Sequence, residues 1–425
     1  MIEGIRIQNY RALKDIRLGR LWQEQDKEPL TPLTVVIGKN GAGKSSLFDA
    51  FGFLSDCVKH GVEEACDMNG RGGFERLCSK GCDGPLKFEI YYRQAQKERP
   101  ITYELHIGLS KNGRPIVLYE RLRQRRKGQT HGRPFSFLIL NKGTGMAWSG
   151  EEHGKDIRDD GDLIDEKGLK DLFHEAQKES DSTEWVELED SSRLGIATLG
   201  ALRQHPRISR FRRFIENWYL SYFSPNAARS LPLAGPQRHL DKQGENLGNV
   251  VQYMQREHPD ILQKALGEIA DKIPGICNID TEVTQDRRLL LRFHAEGFDT
   301  PFYAQQMSDG TLKIFTYLLL LASPSPSPFI CIEEPENGLY PKLLQALANE
   351  LRYYAAAKKN GSQVFVTTHQ PFFVNSLLPE EVWVLEKQKD GFSTIRRASE
   401  DQLVVNLVEQ ELPLGNLWIA DYLDE

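Results

Sequence analysis

Leu33-Thr34-Val35-Val36-Ile37-Gly38-Lys39-Asn40-Gly41-Ala42-Gly43-Lys44-Ser45 decides how the rest of the chain is read. The first five residues are a continuous, largely β-branched run, suited to a strand buried on both faces of a parallel sheet. The next eight fit G-x-x-x-x-G-K-[ST] with no departure. Gly38, Gly41 and Gly43 permit φ > 0 and leave no Cβ between backbone N–H groups and phosphate oxygens. A helix predicted from about Lys44 to Val58 points the positive end of its dipole at the same anion. The pattern assigns Lys44 to β- and γ-phosphates and Ser45 to Mg²⁺, with Lys39, Asn40, Ala42 and Ser46 completing the loop at 38–46. A fortuitous Gly-rich turn is the competing reading, and the strand before and helix after count against it.

Three distal segments repeat the pattern of a strand or helix end that carries chemistry. Phe329-Ile330-Cys331-Ile332-Glu333-Glu334 reads as an apolar strand ending in two carboxylates. On a parallel strand beside the phosphate loop, Glu333 would face Mg²⁺ and Glu334 would polarise an attacking water. Adjacent acids at a strand end are otherwise often only solvated. Val364-Phe365-Val366-Thr367-Thr368-His369 is a second apolar strand, ending in a histidine able to meet a γ-phosphate or its water. Met307-Ser308-Asp309-Gly310-Thr311 precedes an apolar helix from Leu312 to Leu321. Ser308 suits an N-cap, and the Gly310 N–H suits an anion. Their order along the chain separates this set from bland caps and surface acids.

In that order the segments resemble an ABC-type ATPase head: a Walker A loop at 38–45, 307–311 in place of the signature L-S-G-G-Q, a Walker B strand at 329–334, and the switch histidine His369. Ile5-Arg6-Ile7-Gln8-Asn9-Tyr10-Arg11-Ala12-Leu13 and Glu334-Pro335-Glu336-Asn337-Gly338-Leu339-Tyr340-Pro341 narrow the likeness. They are similar to the RecF/SMC/OLD branch, and most to its short stand-alone predicted AAA-type ATPases. Leu240 to Leu247 (L-x-x-x-G-x-N-L) and Gly415-Asn416-Leu417-Trp418 extend the resemblance over most of the chain.

The resemblance implies ATP and Mg²⁺ as cofactors, ATP hydrolysis with Glu334 and His369 as catalytic residues, and Ser45 with Glu333 at the metal. It implies a homodimer or higher homo-oligomer closing head to head. Ser308 and Gly310, with Asp309 between them, would reach the partner copy's γ-phosphate, and Arg11 would approach the nucleotide. Glu333 departs from the Asp of many ABC heads, and the Q-loop glutamine is not placed; Arg71-Gly72-Gly73-Phe74 is the region where it is sought. Such ATPases look like parts of bacterial defence systems, which implies a separate effector, a Toprim-like nuclease or a toxin. A largely static, ATP-held scaffold that sequesters the effector is the alternative. A transporter's ATPase subunit is a further rival, disfavoured by the large insertion.

The expected fold is α/β: an ABC-type P-loop head, a mixed sheet with flanking helices, and an inserted β-rich and helical lobe. The divisions expected are 1–85 with the Walker A loop, 86–150 β-rich, 151–275 mostly helical, and 276–425 with the signature, Walker B and histidine. Strands are expected at 86–92, 101–109 and 115–121, an exposed excursion at 150–190, and helices at 208–223 and 247–273.

The 425 residues carry a net charge of −6 and 40% apolar residues, an ordinary globular composition. No apolar run is long enough to span a membrane, and the start lacks a secretory pattern, so a cytoplasmic location is expected. Six cysteines suit a reducing compartment, and Cys57, Cys66, Cys78 and Cys82 lack paired zinc spacing. Two basic stretches, 121–133 and Arg203 to Arg213, make DNA or RNA a candidate partner, although charge runs are usually solvated faces.

Overall fold

The computed structural model describes every residue except 96, 126–133, 151–165, 180–181, 273–274, 357–361 and 424–425. The chain divides into two units. Met1–Thr31, Ile37–Trp218 and Trp383–Arg397 form the first, and Pro32–Val36, Tyr219–Val382 and Ala398–Glu425 the second.

The first unit is built on an eight-stranded sheet in the order Leu13–Gly19, Ile2–Tyr10, Leu86–Tyr92, Ile101–Leu109, Pro115–Gln124, Phe135–Asn141, Thr144–Trp148, Thr183–Glu187. Every neighbouring pair is antiparallel. Alternation along the strands sets the faces. Ile5 sits opposite Ile90 and Ile7 opposite Phe88, all within 2% of full burial. Tyr10, Phe53 and Phe88 meet at ring separations of 5.7 to 6.1 Å, which seats the helix Lys44–His60 on this face. The helix Pro206–Glu216 adds Phe211 against Tyr103 and Phe214 against Tyr92. The other face is polar: Arg6, Glu89, Glu104 and Arg121 stand in one cross-strand row. Burial, and then the neighbouring Glu104, pushes the Glu89 carboxyl up to about 7.

The strands expected at 86–92, 101–109 and 115–121 are present, the last running on to Gln124. Within the stretch expected as an exposed excursion, the described part holds a helix, Glu166–Glu179, and an edge strand, Thr183–Glu187. Buried Glu120 ties the sheet to the next segment, accepting the N–H groups of Gly195 and Ile196 and the Tyr103 hydroxyl.

In the second unit, Tyr219–Ser221, Phe329–Glu333 and Gln363–Thr368 run parallel. Leu33–Ile37 follows Gln363–Thr368 in the sheet order. The Val364 N–H donates to the Pro32 carbonyl, so both strands start at one edge of the sheet. An antiparallel sheet of Ile276–Val283, Leu289–Ala295 and Phe302–Tyr303 lies beside the helices Leu247–Glu257 and Pro259–Lys272. The helix Asp309–Leu321 is buried almost all round, as its unbroken apolar run requires.

Two helical expectations are corrected. The stretch 208–223 is helical only to Glu216, after which Tyr219–Ser221 pairs with Phe329–Glu333. The stretch 247–273 breaks at His258, because Pro259 cannot donate into a preceding turn and instead opens the next helix. Among the described residues no helix is long and apolar enough to cross a membrane.

Candidate functional site

Strand Leu33–Ile37 passes at Gly38 into the loop that starts the helix Lys44–His60. The three glycines serve different needs. A Cβ on Gly38 would lie 2.3 Å from the Leu385 carbonyl oxygen, and one on Gly43 would lie 2.5 Å from Ser393 Oγ. Gly41 (φ +79°) would meet nothing within 4 Å; it is required for its backbone conformation alone. Ser393 Oγ donates to the Ala42 carbonyl at 2.6 Å and fixes the loop from the hairpin of Val382–Lys387 and Ser393–Arg397. Lys44 is buried to 5% exposure, its Nζ donating to the carbonyls of Gly38 (2.8 Å) and Lys39 (3.3 Å). Lys39, Asn40 and Ser45 are exposed, Ser46 is half-buried, and Ala42 is buried. The helix start has no side-chain cap and no acid in its first turn, which leaves an N-terminal dipole suited to an anion.

One turn beyond Ser45, Asp49 gathers three donors: Tyr10 Oη (2.7 Å), Arg71 Nε (2.9 Å) and Arg11 Nη2 (3.1 Å). Arg11 has φ +48° and follows Asn9 at +62°, a turn held by the Arg11 N–H on the Leu77 carbonyl. Arg71 is fully buried, and its Nη1 reaches Asp56 (2.8 Å) and the Ala65 carbonyl (3.0 Å). Burial alone would lower its pKa; Asp49 foremost, with Tyr10 and Asp56, raises it. The region sought for a Q-loop therefore holds a charged clamp on the phosphate-loop helix. Asp49 and Arg71 were missed because only tertiary contact pairs them.

In the second unit, strand Phe329–Glu333 ends one residue earlier than expected. Glu334 turns into the left-handed region (φ +43°), a strained conformation for a side chain of this kind. Its N–H donates to the Thr367 carbonyl, and Asn337 Nδ2 donates to its Oε2 at 3.2 Å. His369 follows strand Gln363–Thr368, with Nδ1 3.3 Å from Glu334 Oε1 and 3.2 Å from Glu336 Oε1. Buried Glu336 accepts from Thr368 Oγ1 (2.7 Å) and the His369 N–H (2.8 Å), which fixes the histidine from behind. Glu336 went unassigned in the sequence; its signal was a third acid, two residues past Glu334. Glu333 is half-buried at the strand end.

Ser308 caps the helix Asp309–Leu321 by accepting the Thr311 N–H. Asp309 is exposed, and Gly310 packs so closely that a Cβ would lie 2.7 Å from the Gly338 carbonyl oxygen. Lys313, buried on the same helix, donates to the carbonyls of Glu334 (3.2 Å) and Asn337 (3.0 Å). Burial lowers its pKa, opposed by Glu336, Glu334 and Asp309. The capped helix and the turn after the acidic strand are therefore one hydrogen-bonded piece.

The basic stretches are less available than their sequence suggests. Arg121 and Arg123 are buried, with Arg123 paired to Glu104, and Arg126, Lys127 and Arg133 lie outside the described residues. Arg207 is buried over the Phe137 ring, and Arg212 pairs with Glu216; Arg203 and Arg213 are exposed.

A family model described as "AAA domain, putative AbiEii toxin, Type IV TA system" matches residues 33–375. No curated protein matches the chain. Among solved structures, it is similar to an SMC head bound to the C-terminal winged-helix domain of ScpA, at 13% identity and a TM-score of 0.51, covering 93% of this chain and 96% of that one. An SMC head domain with an extended coiled coil, derived from Pyrococcus furiosus and bound to the C-terminal domain of ScpA, aligns over 96% of this chain and 99% of that one, at 12% identity and a TM-score of 0.49. The match over 33–375 spans the phosphate loop, the capped helix, the acidic strand and His369; the chain belongs to that AAA family, and its fold is that of an SMC-type ABC ATPase head.

Proposed function

We propose that the protein binds ATP with Mg²⁺, hydrolyses it, and uses the cycle to join and release a second copy head to head. Through that cycle it controls a separate effector, a Toprim-like nuclease or toxin, in cytoplasmic bacterial anti-phage defence. The observation that carries the reading is the Glu334–Glu336–His369 cluster at the carboxyl ends of neighbouring parallel strands. Ligands of α/β sheets bind at that edge.

The phosphate loop fits a triphosphate: a buried ammonium, an uncapped helix start and an open Gly41. The exposed Ser45 hydroxyl and the Glu333 carboxylate are oxygen donors of the kind Mg²⁺ takes, and the bound metal would neutralise phosphate charge. Glu334, turned out of its strand, accepts a proton from the attacking water, and His369, set by Glu336, orients the γ-phosphate or that water. Ser308 and Gly310 serve the second copy's nucleotide, and Arg11 steadies the loop side through Asp49. The SMC head solved with ScpA supports a protein partner for a head of this fold. Contact with DNA or RNA would fall to the exposed Arg203 and Arg213. Steady-state hydrolysis and light scattering of wild type and Glu334→Gln test the reading. Turnover in wild type and an ATP-trapped dimer in the variant support it; negligible turnover in both favours the static scaffold.

A further inference from the structure

Asp309 occupies a position where the signature L-S-G-G-Q has glycine. A carboxylate beside Ser308 and Gly310 is well placed for its own helix dipole but badly placed for a triphosphate, whose charge it would repel. The structure supplies a counter-charge. Arg229, following the short helix Pro225–Ala228, donates through Nη2 to Asp309 Oδ1 (2.5 Å) and to the Met307 carbonyl (2.7 Å). Gln305 Nε2 closes the ring by donating to the Arg229 carbonyl at 2.7 Å. One guanidinium thus grips both sides of Ser308.

The segment that carries Arg229 is itself fixed, and the L-x-x-x-G-x-N-L stretch does the fixing. Asp241 Oδ1 accepts the N–H groups of Gln243, Gly244 and Glu245, and its Oδ2 accepts that of Asn246. Asn246 returns the bond by accepting the Asp241 N–H. The closed turn then holds 222–230 from both ends. The Lys242 and Gln243 carbonyls accept the N–H groups of Tyr222 and Ser224, and the Glu245 carbonyl accepts Ser230 Oγ.

We infer that Arg229 is a positioning residue for the signature turn: it neutralises Asp309 and holds Met307–Asp309 in place, so that the turn accepts the triphosphate of a second copy. The inference rests on the head-to-head reading above. Its particular claim is that Arg229 matters because Asp309 is charged.

The test places Arg229→Met, Asp309→Asn, the double variant and Arg229→Lys in a Glu334→Gln background and measures the ATP-dependent dimer dissociation constant by sedimentation. Arg229→Met is expected to weaken association roughly tenfold or more, the scale of a like charge left opposed at an interface. Asp309→Asn added to it is expected to restore association to within about threefold of the parent, and Arg229→Lys to fall between. Fluorescent ATP binding by the separated monomers should stay unchanged. Full association by Arg229→Met, or no recovery in the double variant, overturns the inference. If the parent itself fails to associate with ATP, the head-to-head reading fails, and amide exchange of residues 305–312 decides the positioning claim on its own. Faster exchange in Arg229→Met than in wild type sustains it, and equal exchange overturns it.

Discussion

Replacing Arg71 with Leu tests whether the phosphate-loop helix depends on a buried charge clamp. The guanidinium serves Asp49 and Asp56 at 2.9 and 2.8 Å and the Ala65 carbonyl at 3.0 Å, and its side chain is fully buried. Asp49 keeps two other donors, Tyr10 and Arg11, and Asp56, 2% exposed, keeps the amide of Asn69 at 2.9 Å but loses the Arg71 guanidinium. Leucine fills part of the volume and removes the guanidinium from both carboxylates. Breaking a buried pair in this way costs about 3–5 kcal/mol. Against a total stability of about 5–15 kcal/mol that is a large share, and for a chain of this length it corresponds to a fall in melting temperature of roughly 3–6 °C. Calorimetry at pH 7.5 would read it. Arg71→Leu with Asp56→Asn should recover part of the loss, because the buried carboxylate that lost the guanidinium is then neutral. Arg71→Lys should recover less, since one ammonium cannot reach both acids and the carbonyl. A melting temperature for Arg71→Leu within about 2 °C of wild type would refute the reasoning, showing that the clamp contributes no more than apolar filling.

Glu89 gives a pH signature on the opposite face of the same sheet. Its folded pKa of about 7 lies above the unfolded value of 4.5, so its contribution is fully present below pH 4.5 and is lost as the pH rises through 7. The side chain is only 19% exposed, and the shift corresponds to a loss of roughly 3 kcal/mol. Glu89→Gln should match wild type at pH 4 and melt a few degrees higher at pH 8; an equal difference at both pH values would contradict this. Gly310→Ala sets a methyl 2.7 Å from the Gly338 carbonyl oxygen. It should cost about 1–3 kcal/mol in a thermal melt and lower ATP turnover, whereas an unchanged kcat would detach this contact from the cycle.

Much of the fold was legible because local pattern and tertiary demand agree. Ile5 and Ile7 alternate with Arg6 and Gln8, and the strand buries the face that alternation requires. The helix after the phosphate loop begins at Lys44 as expected, and runs to His60 because Gly61, with φ +93°, ends it. Where apolar residues fit two periods the pattern misled: Tyr219-Leu220 continues a helical stripe, yet a parallel partner strand claims it. Pro259 marked a break that the amphipathic stripe concealed.

The site divides in the same way. The loop glycines, the acidic strand end and the terminal histidine are local motifs and could be read. Glu336 behind His369, Lys313 beneath Glu334 and Arg229 against Asp309 act across 21 to 80 positions of sequence, so no local pattern announces them. Arg121 and Arg123 were read as surface charge for the converse reason. Arg121 and Arg123 alternate toward a face lined with Glu89 and Glu104, and cross-strand pairing uses their charge.

The most direct test of the central claim is the mass of the protein in solution, by light scattering, with and without ATP and Mg²⁺, for wild type, Lys44→Ala and Glu334→Gln. Glu334→Gln should hold a stable ATP-bound dimer, wild type should pass through it transiently while releasing phosphate, and Lys44→Ala should show neither. A Glu334→Gln mass that does not respond to ATP, with ATP demonstrably bound, would contradict the account.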